Sequence, residues 1–275
     1  MALAPAVEAR DVSFGYRAKD EIFSRLCWRV EGGEWWAIVG PSGCGKTTLL
    51  YLLAGLRRPR LGQVLIQGQP LAKPRPSTGL ILQDFGLLPW ARATDNIRLG
   101  LRIRGVAEAE QRQIAAYWLR HLDIDDLGHH YPSQLSGGQR QRVAIARTLA
   151  LDPDLLLMDE PFGSLDTFTR EGLQSLVAGL GQERARTCIL VTHDIEEAVF
   201  LGSRILVLGY PPVTDTIVVE NPSARQCGYR EDPEFYRKCS EVKSRAVAAQ
   251  RQGNAGGRAT EEHRLLPVFS TRGEE

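Results

Sequence analysis

The chain has 275 residues, with 34 Lys plus Arg against 33 Asp plus Glu. That length buries roughly 70 to 75% of the unfolded surface, so a conventional core is expected, as one large domain or two small ones. Near-cancelling charge excludes an overall basic field for nucleic acid and an acidic excess that favours disorder.

No run approaches the ~20 consecutive apolar residues that cross a bilayer, and the start, MALAPAVEARD, lacks a basic stretch followed by an apolar one. The chain is therefore expected neither to span a membrane nor to be secreted. Cys27, Cys44, Cys188, Cys227 and Cys239 are odd in number, scattered and without a C-x-x-C pair, which fits a reducing cytoplasm.

In chain order, VEARDVSFGY and FSRLCWRVEGGEWWAIVG alternate apolar and polar residues around a glycine break, the pattern of antiparallel strands. Three short apolar runs then end abruptly in polar or glycine-rich residues. They are Trp35 to Val39 before GPSG, Leu155 to Met158 before Asp159, and Cys188 to Val191 before Thr192 and His193. Continuous apolar strands suit a sheet covered on both faces, where ligands gather beyond the carboxyl ends of the strands. From Asp84 to Leu135 the pattern turns helical, as in AEAEQRQIAAYWLRHLDI, which reads as a helical insertion. Within it Phe85, Leu87, Leu88, Pro89 and Trp90 cluster in a loop, because Gly86 and Pro89 interrupt any helix. Such a loop is either buried or awaiting a partner. After Tyr210 the rhythm is lost at Pro211 and Pro212. Asp232 and Pro233 can start a helix bearing Phe235, Cys239, Val242 and Ala246 on one face, and the last 25 residues, small and polar, predict a mobile tail.

The run Gly40, Pro41, Ser42, Gly43, Cys44, Gly45, Lys46 and Thr47 fits G-x-x-x-x-G-K-[ST] between an apolar strand and the helical TTLLYLLAGL, which opens with Thr47 and Thr48. A match arises by chance in about one in a hundred chains of this length, given average glycine usage. Glycines let backbone N–H groups face phosphate oxygens, and a helix N-terminus adds positive charge. Lys46 would reach the β and γ phosphates, and Thr47 would offer its hydroxyl to Mg2+. In LLLMDEP, one carboxylate can hold the hydrated metal and the next can orient or deprotonate water, which assigns Asp159 to the metal and Glu160 to the water. His193 alone is more often a satisfied core histidine. At the same sheet edge its imidazole can bond the γ-phosphate or the water.

These features also describe kinases, helicases and motor proteins. The discriminating segment is LSGGQ, Leu135 to Gln139, where Ser136, Gly137, Gly138 and Gln139 head a helix and form a second anion-binding terminus. Here the chain resembles the ABC ATPases, from about Val12 to Leu208, with every family motif in order. The resemblance implies an α/β fold of the P-loop NTPase (RecA-like) kind, a mixed sheet core with N-terminal antiparallel strands and an inserted α-helical subdomain. It implies an ATPase domain over residues 1–210, with the helical insertion over about 84–142, and a C-terminal extension over 211–275 that is helical over about 232–250.

By the same resemblance, Tyr16 stacks on adenine, Gln83 senses Mg2+ and the attacking water, and Lys46, Gln83, Glu160 and His193 form the catalytic set. Thr47, Gln83 and Asp159 form the metal set. Ser136 and Gly138 contact the γ-phosphate held by another subunit, and Asp166 helps join a homodimer. Cys44 is expected as a small filler rather than a nucleophile. The wording LLPW followed by DNI is most similar to importer ATPases for nitrate, sulfonate, taurine and related anions. That implies transmembrane permease subunits, indirectly a substrate-binding protein, no nucleic acid, and a peripheral place on the cytoplasmic face of the cell membrane. A soluble ABC ATPase of translation or DNA repair would show tandem cores, coiled-coil insertions or cysteine-ligated zinc. A P-loop small-molecule kinase is opposed by LSGGQ.

Overall fold

The computed structural model describes residues 4–17, 19–163, 165–183 and 186–262; of residues 180–183 and 252–262 only the backbone is described. Two sheets share the chain. An antiparallel sheet runs in the order β2 (Phe23–Val30), β1 (Val7–Phe14), β4 (Leu61–Ile66) and β5 (Gln69–Pro70). The larger sheet runs in the order β10 (Ile217–Glu220), β9 (Arg204–Val207), β3 (Trp35–Val39), β8 (Thr187–Val191), β7 (Leu155–Asp159) and β6 (Thr78–Ile81). All its neighbours are parallel except β9 and β10.

Two cores explain why those strands read as unbroken apolar runs. On β3, Trp36 and Ile38 face the antiparallel sheet, where Phe23, Leu26 and Val64 lie, while Trp35, Ala37 and Val39 face the other way. The same split divides Leu155 and Leu157 from Leu156 and Met158 on β7, and Ile189 and Val191 from Cys188 and Leu190 on β8. Side chains alternate across a strand, so a sheet buried on both faces needs apolar residues at every position. Helix α1 (Lys46–Leu53) places Leu49, Leu50, Leu52 and Leu53 in the first core.

The second core is covered by α2 (Ala93–Ile103), α3 (Glu108–His121), α4 (Gly137–Leu149), α5 (Thr167–Glu183) and α6 (Ile195–Leu201). Helices α2 and α3 occupy the stretch read as a helical insertion, and α4 packs on both and on β6. The extension adds α7 (Pro233–Glu262), which runs beyond the expected end near residue 250. The first part of the stretch read as a tail, RQGNAGGRATEE, continues this helix; among its glycines it carries Arg, Gln, Ala and Glu, which are good helix formers. The rest of that tail, 263–275, lies outside the described residues.

The extension is tied to the core by Asn221, which is fully buried. Its Nδ2 donates to the carbonyls of Val199 and Gly202 at 2.7 and 2.9 Å, and its Oδ1 accepts from the Tyr229 hydroxyl at 2.6 Å. Tyr229 in turn meets Phe235 of α7 edge to face, with ring centroids 5.3 Å apart. Replacing Tyr229 with Phe keeps that packing but leaves Asn221 Oδ1 short of a donor. The expected cost is about 1 to 3 kcal/mol, read by thermal or urea unfolding. An unchanged midpoint would show that the buried amide does not anchor the extension.

Candidate active site

Parallel strands deliver their carboxyl ends to one edge, and the residues expected to bind nucleotide gather there. The backbone of Glu160 continues β7 by donating to the Val191 carbonyl at 2.9 Å, and Thr192 donates to that of Ile38 at 3.1 Å, so the loops after β7, β8 and β3 leave the sheet side by side. The phosphate loop follows β3. Gly45 has φ 102°, and a Cβ there would come within 2.5 Å of Ile22 Cγ2 and 3.0 Å of Phe23 Cζ. Only glycine satisfies both the backbone angle and the close approach of β2. Cys44 is fully buried below the loop, its thiol pushed up by desolvation, which makes it a space-filler and a poor nucleophile.

Lys46 is 8% exposed, and its Nζ donates to the Gly40 and Pro41 carbonyls at 2.9 and 3.1 Å. The ammonium is thus held across the mouth of the loop, while exposed Ser42 and Gly43 form the outer turn. Thr47 Oγ1 donates to Asp159 Oδ1 at 3.1 Å. Burial raises the Asp159 carboxyl above its ordinary range, with the Thr47 hydrogen bond opposing. A buried carboxylate without a cation is costly, and Thr47, Gln83 and Asp159 line one cleft with Tyr51 and Asp84.

Among the described residues no group of three or more His, Cys, Asp or Glu could hold a metal by itself. One carboxylate, one hydroxyl and an amide oxygen nevertheless suit Mg2+, which keeps several waters and takes further oxygens from substrate phosphates.

Glu160 is the centre of the cluster. Its Oε2 accepts from Gln83 Nε2 at 3.3 Å and lies 3.2 Å from His193 Nδ1. Gln83 arrives from β6 and His193 from β8, so three strands aim at one carboxylate oxygen. Glu160 has φ 45°, a left-handed backbone that a non-glycine residue adopts at a cost, as functional sites often do. The His193 side chain is 64% exposed and free to meet a ligand.

Tyr16 stands to one side, 55% exposed, its hydroxyl 3.2 Å from Thr48 Oγ1 and its ring edge-on to Phe14 at 5.3 Å. The Arg57 guanidinium lies over the ring at 5.7 Å from its centroid, so this exposed aromatic stands beside the phosphate loop with a cation against it.

Ser136, Gly137, Gly138 and Gln139 are elsewhere. They head α4, whose apolar residues belong to the second core, whereas α1 belongs to the first, so the two helix N-termini sit on different faces of the sheet. Ser136 caps α4 by accepting from the Gln139 N–H at 3.3 Å, and the Gln139 side chain accepts from the Ser136 N–H at 2.9 Å. Beside this terminus lies the turn of Asp166: a Cβ on Gly138 would come 2.9 Å from Thr169 Cγ2. Asp166 is fully exposed, its carboxyl lowered by hydrogen bonds from Thr169.

Sequence reasoning missed the residues that hold these loops. Asn96, fully buried, accepts from the Leu88 N–H at 2.8 Å and donates to the carbonyls of Leu88, Ala91 and Arg92. Arg147 donates to the carbonyls of Phe85 and Gly86, both at 2.6 Å. Together they fix the loop after Gln83 with Leu87 against the core and Trp90 75% exposed. Asn96 is legible as a polar residue on the apolar side of a helix; Arg147 has no signal of its own.

Glu197 was missed as well. It is 4% exposed on α6, and burial and then Asp194 push its carboxyl from 4.5 up to about 8. A folded value above the unfolded one means that folding takes up a proton between pH 4.5 and about 8. Stability from this group is complete below pH 4.5 and lost as pH rises through about 8. Unfolding midpoints across that window should fall with pH in the wild type and fall less in Glu197→Gln; equal slopes would exclude a buried neutral carboxyl.

Comparison with known proteins agrees with this geometry. The family model described as ABC transporter matches residues 23–163. The taurine import ATP-binding protein TauB of Chromobacterium violaceum is 42% identical over 230 residues, covering 81% of this chain and 88% of that protein. Its namesake in Pseudomonas aeruginosa is 41% identical over 238 residues, covering 84% and 90%.

Among solved structures, an ATP-binding cassette captured as a dimer in a post-hydrolysis state with ADP and Pi superposes with a TM-score of 0.70 at 32% identity, covering 77% of this chain and 97% of that one. The cbiO1 protein of Clostridium perfringens, part of an ABC transporter complex, superposes with a TM-score of 0.72 at 25% identity, covering 86% and 94%. The sheet edge, its phosphate loop and its second helix terminus therefore have a family: the chain belongs to the ABC transporters, as an ATP-binding and ATP-hydrolysing subunit.

Proposed function

We propose that two copies of this chain bind two MgATP at their shared interface and drive import of a small sulfonate-like anion, of the taurine and nitrate class, through transmembrane permease subunits. The observation that supports the paired arrangement is the separation of the two anion-binding termini. Within one chain, α4, headed by Ser136 and Gly138, packs in one core and α1, headed by Lys46, in the other, on opposite faces of the sheet. A second copy facing the first brings one chain's Ser136 and Gly138 to a phosphate held by the other's Lys46.

In this reading Tyr16 stacks on adenine, and the loop from Gly40 to Thr48 cradles the phosphates with Lys46 neutralising them. Thr47, Gln83 and Asp159 would hold Mg2+, which supplies further neutralisation at the β and γ phosphates. Glu160 accepts the proton of the attacking water. Gln83 and His193, both within hydrogen-bond range of its Oε2, hold the carboxylate and orient that water. The partner subunit's Ser136 and Gly138 close on the γ-phosphate, and Asp166 joins the copies. Positioning and charge stabilisation suffice for phosphoryl transfer to water.

Attachment to the membrane falls to the permease. No helix among the described residues is long and apolar enough to cross a bilayer. A peripheral position on the cytoplasmic face follows from the importer reading, as does an indirect link to a substrate-binding protein. The sulfonate class rests on the relatives named for taurine import.

Lys46→Ala should weaken MgATP binding by about tenfold or more, because a charge-assisted contact is lost. Glu160→Gln should bind ATP normally and lose about a hundredfold or more in kcat, the range of a general base. Nucleotide titration beside steady-state hydrolysis separates the two, and near-normal turnover in Glu160→Gln would remove it as the base.

Trp90 tests the coupling. It is exposed, so Trp90→Ala should leave the isolated subunit within about 0.5 kcal/mol of wild-type stability and its basal ATPase intact. Docking on the permease should weaken by about 2 kcal/mol or more, as at a buried aromatic anchor, and ATP-driven uptake in reconstituted vesicles should fall. Unimpaired uptake would retire Trp90 as a coupling residue.

A further inference from the structure

Arg170, in the first turn of α5, touches both segments that flank the Glu160 carboxylate. Its Nη2 donates to the Leu165 carbonyl at 2.8 Å, in the turn that carries Asp166, and its Nη1 donates to Asp194 Oδ2 at 3.3 Å, in the loop that carries His193. The side chains of Arg170 and Asp194 are 29% and 31% exposed, and Arg170 Nε is buried without a partner. This is a half-desolvated fork rather than a surface ion pair, and its planar geometry fixes two acceptors relative to each other.

The far side of that fork is anchored too. Asp194 Oδ1 accepts from the N–H groups of Glu196 and Glu197 at 2.9 and 3.2 Å, capping α6. Thr192 Oγ1 accepts from the Asp194 N–H at 3.0 Å. His193 therefore sits between Thr192 and Asp194, which are joined by a hydrogen bond, and Asp194 is held by Arg170. The near side passes over the same chemistry. A Cβ on Gly163, at the start of the Leu165 turn, would lie 3.8 Å from both Glu160 Oε2 and His193 Cε1.

We propose that Arg170 is a positioning residue for hydrolysis, locking the Asp166 turn to the His193 loop so that displacement of the turn by a second subunit is passed to the His193–Glu160 pair. This rests on the paired-subunit reading above. A guanidinium can hold a carbonyl and a carboxylate in two fixed directions at once, whereas an ammonium is a point charge. A role in stability alone would be served by either.

The test compares the full chain as wild type, Arg170→Lys and Arg170→Met. Tm, MgATP affinity, kcat and the Hill coefficient for ATP are measured for each, with Glu160→Gln as the dimerisation control. Arg170→Lys should keep its melting point and bind MgATP within about twofold of wild type, yet lose about tenfold or more in kcat, since small misplacements near reacting groups cost up to about a hundredfold. Its Hill coefficient should fall toward one, and Arg170→Met should show the same split more strongly. Wild-type kcat and cooperativity in Arg170→Lys would overturn the proposal. So would losses in kcat that merely follow the folded fraction. A wild type that hydrolyses ATP without cooperativity, beside a Glu160→Gln protein that stays monomeric with ATP, would refute the paired reading and this proposal with it, a pattern visible before any Arg170 variant is compared.

Discussion

A parallel sheet covered on both faces has no room for ionised side chains except at its ends. Here β3, β8 and β7 are apolar apart from Thr187, which opens β8, and the groups suited to phosphate and metal come where each strand stops: Gly40, Thr192 and His193, Asp159 and Glu160. The register decides the rest. Asp159 pairs with Val191, and Ile38 also pairs with Val191 from the other side, so the strand ends are level to within a residue. A shift of one residue would send Asp159 into one of the two cores, where an unpaired carboxylate is far too costly. Burial of the sheet and alignment of the polar groups at its edge are thus one constraint.

That constraint forces compromises at the edge. Glu160 takes a left-handed backbone to turn its carboxylate toward Gln83 and His193, and Gly45 takes an angle and a contact that exclude any side chain. Each costs stability locally, and each is tolerated because the strand behind it is fully packed. The polar tips at the proposed site are held loosely by comparison: Lys46 by two carbonyls, His193 by a single 3.2 Å contact. Rigid backbone and adjustable tips suit a site that must accept ATP and release ADP and phosphate.

Much of this was legible in the sequence, for physical reasons. Strands buried on both faces leave unbroken apolar runs, and a phosphate loop leaves glycines at positions where backbone must replace side chain, so β3, β7, β8 and the Gly40–Thr47 turn could be read directly. Tyr16 could not be told from an ordinary strand aromatic without the family resemblance, because one exposed ring has no periodic signature. The choice between buried and exposed for Trp90 stayed open for a similar reason. It was decided by Leu87 turning inward and by Asn96 and Arg147 holding the loop, and the Arg147 contact joins residues far apart in the chain. Helix α7 outran its expected end because small polar composition describes a solvated helix as well as a tail.

Several of the residues missed by sequence reasoning share a chemistry. Around the site, loops are tied by guanidinium groups donating to backbone carbonyls: Arg147 to Phe85 and Gly86, Arg170 to Leu165, Arg140 to Leu135 just before Ser136, and Arg225 to Leu201 at the end of α6. Apolar packing would hold these loops as firmly, but it would dry the edge where charged phosphates and water must enter. A guanidinium is more weakly hydrated than an ammonium and carries five donors in a fixed fork, so it can order a half-buried carbonyl while leaving the surroundings polar. Arg147 and Arg225 are lowered from their ordinary range by desolvation, yet both remain cations, since that range lies far above neutral pH. The scaffold therefore uses hydrophobic burial to place the strand ends and arginine forks to place the loops between them.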